Sequence, residues 1–176
     1  MNMRTKWSIY LLLIFNFLLL TVFVGSDFYS LYTDHFYITK KENFITLLLF
    51  LPYLVYLVVI GIKVQQEEST DPAMRNLEYL VYLSLIGGLW QVWQVFSSWS
   101  EFSTLQNQYL LPEHFYVIGL GLLIVFALFY VFSLYLFSVR KRAIGPYHRR
   151  EWEENFDAWE EFRLGQEAEV PVENAD

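Results

Sequence analysis

Apolar positions in this chain are gathered into four long runs, Trp7–Gly25, Phe44–Ile62, Tyr79–Trp99 and Phe115–Val139, of 19, 19, 21 and 25 residues. None of them contains Lys, Arg, Asp, Glu or His. At about 1.5 Å of rise per helical residue, each can cross a hydrocarbon layer of about 30 Å. The pattern predicts an all-α integral membrane protein. Residues 1–142 would form a four-transmembrane-helix bundle, and residues 143–176 a tail.

The runs differ in their polar content. In the third, Ser84, Gly88, Gln91 and Ser98 fall within about 80° of one another on a helical wheel, with Gly87 and Gln94 at the edge. Ile86, Leu89, Trp93 and Phe96 cover the other side. Ser84 and Gly88 form a small-xxx-small pair that lets another backbone approach. Asn16 is the only other side-chain amide within a run, and it is expected to meet the Gln91 face where the first and third helices touch. Asn16, Ser84, Gly88, Gln91 and Gln94 support two readings. They are interhelical glue, each bond worth about 0.6–2 kcal/mol, or they line a polar path for a small neutral solute or an ion. Ion-coupled paths usually include an intramembrane carboxylate or imidazole; the runs have neither, which favours glue. Pro52 should bend the second helix near its centre, a bend that membranes tolerate when neighbouring helices cover the freed carbonyl.

Between the runs, residues 26–43 carry Phe28, Tyr29, Tyr32, Phe36 and Tyr37, a composition suited to the headgroup layer. Asp71-Pro72 reads as a helix start, with Asp71 capping and Pro72 at the first helical position. After the fourth run comes a basic stretch, VRKRAIGPYHRR, then EWEENFDAWEEFRL. In the latter, Trp152, Phe156, Trp159 and Phe162 recur at helical spacing among acidic residues, predicting a C-terminal amphipathic acidic helix before a disordered end.

Charge adds the orientation. Ten basic residues (Arg4, Lys6, Lys63, Arg75, Arg140, Lys141, Arg142, Arg149, Arg150 and Arg163) fall on one side, against Lys40 and Lys41 on the other. The positive-inside rule then places both termini in the cytoplasm, with the plasma membrane as the default location. The net charge of −7 belongs to the tail: residues 151–176 carry ten acidic groups and one basic group. Arg4 and Lys6 ahead of an apolar stretch also fit a secretory signal cleaved near Val24-Gly25-Ser26. The stretch is longer than a signal core, and Phe23 and Val24 crowd the site, favouring an uncleaved anchor.

Composition narrows the chemistry. With no Cys, thiolate catalysis, disulfide exchange and Cys-ligated metals are excluded. All three His lie outside the runs, which disfavours bis-His haem within the bundle. His35, Glu113 and His114 are weak metal candidates. Their adjacent i, i+1 carboxylate–imidazole pairs point in different directions, so an ordinary solvated loop is the better reading. No cofactor and no nucleic acid partner is expected. The sequence points away from an enzyme, towards a non-catalytic accessory subunit or scaffold. It would bind protein partners, or further copies of itself, in the membrane and through Trp152, Phe156 and Trp159 of the tail. The alternatives are a small oligomeric transporter or channel along the third span, and a membrane enzyme with a site on the external face.

Overall fold

The structure, a computed structural model, describes residues 3–37, 39, 41–102, 104, 112, 114–145 and 147. Met1–Gly145 forms one compact unit and Pro146–Asp176 a second, of which only Tyr147 is among the described residues. The first unit consists of α1 (Met3–Ser26), a short hairpin of β1 (Tyr29–Ser30) and β2 (His35–Phe36), α2 (Lys41–Gln66), α3 (Pro72–Ser100) and α4 (Phe115–Ala143). All four helices are long and apolar enough to cross a membrane.

Each helix outlasts the charge-free run inside it, because local chemistry at the ends continues the backbone pattern. Asp71 accepts the Met74 N–H at 2.7 Å and Pro72 opens the first turn of α3, two devices that satisfy or remove orphan donors. α2 ends where Glu67 takes φ +55° and the Glu68 N–H returns to the Lys63 carbonyl at 3.1 Å, a bond that caps an otherwise open carbonyl. Pro52 lies inside α2 and cannot donate to the Leu48 carbonyl one turn earlier. The adjoining Leu49 carbonyl receives the Ser84 hydroxyl from α3.

The helices form a ring in chain order, and α4 closes it by packing extensively on α1. α1 and α3 are therefore diagonal. The hairpin joins α1 to α2 at one end of the bundle, with Tyr29 opposite Phe36 and Ser30 opposite His35. The Tyr29 hydroxyl donates to Asp34 Oδ1 at 2.6 Å. Burial and the adjacent Asp34 carboxylate push this phenol up to about 12, so it remains a donor at physiological pH.

Inside the hairpin-end half of the bundle is an aromatic plug. Phe23 of α1 packs its ring 5.1 Å from Phe50 of α2, and 4.6 and 4.9 Å from Phe126 and Phe129 of α4. All four side chains are buried. Outward-facing positions are also apolar, among them Leu11, Leu48, Trp90 and Val131. Only 22–39% of each candidate span's most apolar window is buried within the bundle. Such an exterior suits hydrocarbon rather than water.

Candidate functional site

The polar stripe of α3 turns inward, and each of its members meets a different neighbour. Gln91 is buried; its Nε2 donates to the Phe23 carbonyl and to Ser26 Oγ, both at 2.9 Å. It thus reaches across the diagonal to the last turn of α1. Gly88 lies under the plug: a Cβ there would sit 2.7 Å from Phe50 Cζ, 2.9 Å from the Tyr130 hydroxyl and 3.2 Å from Phe23 Cζ. The absent side chain is what lets the plug close against α3. Ser84, also buried, has its hydroxyl between the carbonyls of Leu49 in α2 and Leu80 in its own helix. Tyr130 of α4 adds a donor to the Leu85 carbonyl at 2.7 Å. Gln94 is exposed and, with Gln91, borders a cavity under the hairpin.

Asn16 does not join the Gln91 face as expected. It belongs to a separate layer, in which the Tyr53 hydroxyl of α2 donates toward Asn16 Oδ1 at 3.0 Å and Ser133 Oγ of α4 at 2.7 Å. Asn16 Nδ2 donates to the Leu12 carbonyl and Ser133 to the Phe129 carbonyl. The reason is the ring order. The middle of α1 faces α2 and α4, and only its final turn comes within reach of α3.

Toward the end opposite the hairpin lies a cluster that the charge-free runs concealed. Glu78 and Arg140 are each 5% exposed. Arg140 Nη2 straddles the Glu78 carboxylate at 2.7 and 2.6 Å, and its Nη1 donates to the Gly145 carbonyl at 3.2 Å. Tyr82 donates to Glu78 Oε1 at 3.0 Å and Tyr56 to Oε2 at 3.1 Å. Both carboxylate oxygens therefore hold a guanidinium and a phenol. A carboxylate filled this way is a clamp between α2, α3 and α4 and is poorly placed to accept a substrate proton. Nearby, Lys63 Nζ lies 2.8 Å from Asp71 and 3.3 Å from Glu68, and Lys6 pairs with Glu67 at 2.9 Å. One signal was available in the sequence: Glu78 immediately precedes the third run and Arg140 immediately follows the fourth, so opposite charges border adjacent spans at the same end.

No family model, curated protein or solved structure matches this chain.

His35 is exposed in β2, and His114 is exposed just before α4. Among the described residues, no three potential metal ligands converge. Glu113 lies outside the described residues, as do Trp152, Phe156 and Trp159.

Proposed function

We propose that this chain is a non-catalytic integral membrane protein, an accessory subunit or scaffold whose helices serve assembly and do not conduct. The observation that carries this is the plug of Phe23, Phe50, Phe126 and Phe129 closing over Gly88. The buried span amides on either side of it bond to neighbouring helices, which favours glue over a polar path. The apolar exterior supports insertion in a bilayer, and the basic end of the bundle supports cytoplasmic termini. Partners would meet the outward helix faces and, on the cytoplasmic side, the acidic aromatic tail.

Three measurements test the proposal. Reconstituted in liposomes, the wild type should pass neither small neutral solutes nor monovalent ions. Gln91→Leu should lower thermal stability in detergent, with about 1–2 kcal/mol lost, and still pass nothing. Deleting Glu151–Asp176 should release a stoichiometric partner that co-purifies in mild detergent. Solute flux that Gln91→Leu abolishes in a stably assembled protein would overturn the scaffold reading in favour of a path.

A further inference from the structure

At the basic end of the bundle, Arg75 of α3 stands at helical spacing from two carboxylates and pairs with neither. Asp71 is four positions earlier and Glu78 three positions later. Both are committed elsewhere. Asp71 Oδ1 accepts the Met74 N–H, and Oδ2 faces Lys63 Nζ at 2.8 Å. Glu78 holds Arg140 and the phenols of Tyr56 and Tyr82. Among the described residues Arg75 has no ion-pair partner, and its buried Nε has no hydrogen-bond acceptor. Its position in the first turn of α3 aggravates the imbalance, because the positive end of the helix dipole is there. An anion would answer both.

The register of α3 on α4 brings a second cation to the same end. The two helices run antiparallel: Trp99 lies against Tyr116, Tyr82 against Phe137 with ring centroids 4.6 Å apart, and Glu78 against Arg140. One turn further, Arg75 comes level with Ala143. Lys141 follows Phe137 by four positions and so continues the side of α4 that faces α3. Lys141 is exposed and Arg75 half-buried. The apolar runs are bounded here by Tyr79 and Val139, which puts the two cations only about 6 and 3 Å beyond them along the helix axes. That is headgroup depth. Towards the bilayer centre, Tyr79, Ile86 and Leu134 are exposed along the seam. Ile86 is seven positions from Tyr79 and Leu134 seven from Lys141, a spacing that keeps each pair on one helical face.

We propose that the seam between α3 and α4 binds an anionic phospholipid, its phosphodiester between Arg75 and Lys141 and its acyl chains on Tyr79, Ile86 and Leu134. The apolar seam beside the cations selects a lipid over a free phosphate. Arg142 is turned about 100° from Lys141 and away from α3. It adds charge to this end of the bundle without belonging to the site. The inference rests on insertion in a bilayer and is indifferent to whether the protein is a scaffold or a path.

Full-length protein in mild detergent would be titrated with phosphatidylglycerol and, separately, with phosphatidylcholine, reading the Kd of the first bound lipid by native mass spectrometry. The anionic lipid should bind at least about tenfold more tightly. Arg75→Gln and Lys141→Gln should each weaken it about fivefold and leave phosphatidylcholine unchanged. Lys141→Gln alters an exposed position and tests the site independently of folding. Arg142→Gln removes the same charge from the same end and should weaken phosphatidylglycerol less than about twofold. Equal affinity for the two lipids would overturn the site. Equal losses from Lys141→Gln and Arg142→Gln would also overturn it, in favour of general attraction to a basic surface. Incorporation of the wild type into phosphatidylcholine nanodiscs reports on the bilayer reading separately. Its failure would remove that reading and the site together, whereas normal incorporation without lipid preference removes the site alone.

Discussion

Glu78 receives donors from α2, α3 and α4, so replacing it strands a buried guanidinium as well as removing bonds. Glu78→Gln or Arg140→Leu alone should cost about 3–5 kcal/mol. The double change Glu78→Leu with Arg140→Leu should cost less than either, because no charge is left uncompensated. Reversible denaturation in mixed micelles across the four-protein cycle would measure the coupling. Asp71 makes a different prediction, in pH. The Lys63 ammonium, 2.8 Å away, and then the Met74 N–H hold its carboxyl below the usual carboxylate range, against the effect of burial. A carboxyl depressed in the folded state stabilises it fully above its unfolded value, near 3.8, and loses that contribution as pH falls through the folded value. Thermal midpoints in detergent should change little from this group between about pH 7 and 5, and fall below about pH 4. Asp71→Asn keeps an oxygen acceptor for the cap but loses the charge; it should begin with a lower midpoint and show a shallower acid slope. The Asp71 cap was legible because capping is local. The Glu78–Arg140 pair was not, because hydropathy reports where charge is absent and does not say which charges at the border turn inward.

At the scale of the helices, Gly88 of α3 and Gly121 of α4 stand in opposite surroundings. A Cβ at Gly88 would meet two rings and a phenol within 3.2 Å, whereas at Gly121 it would meet nothing within 4 Å. Gly88→Ala should therefore destabilise by about 1–3 kcal/mol through overpacking, and Gly121→Ala should be neutral or slightly stabilising from helix propensity. Parallel melts of the two variants in one detergent would separate the effects. The stripe through Ser84, Gly88 and Gln91 was readable from periodicity, since the face of a helix follows from its spacing. Which helix each member would touch was not, because that depends on the order of helices round the ring. Asn16 shows the limit: its inward face could be read, but its partners Tyr53 and Ser133 could not. The hairpin was likewise hidden, since two-residue strands carry too little alternation to register against a run of aromatics.

For the molecule as a whole, the four runs made the four helices legible, and the apolar exterior follows from the same runs. Orientation is testable directly because the chain has no cysteine, so a single introduced thiol is the only reactive one. Thr33 and Lys141 are both exposed, in the hairpin and at the basic end of α4 respectively. A membrane-impermeant maleimide applied to intact cells should label Thr33→Cys and leave Lys141→Cys unmodified until the membrane is permeabilised. The reverse pattern would place the hairpin on the cytoplasmic side.

Closure of the ring by α4 on α1 also sets a timetable for biogenesis. Asn16 is made early, but the network that shelters it includes Ser133, which follows Tyr53 by 80 positions. At about 5–20 residues per second, that interval lasts roughly 4–16 s. On the proposed insertion, the first helix would spend that interval in the membrane before α4, its main neighbour, is translated, with Tyr53 lacking its Ser133 partner. A nascent chain stalled before the fourth helix should therefore be a client for membrane chaperones or quality-control proteases, and release from them should coincide with emergence of Ser133.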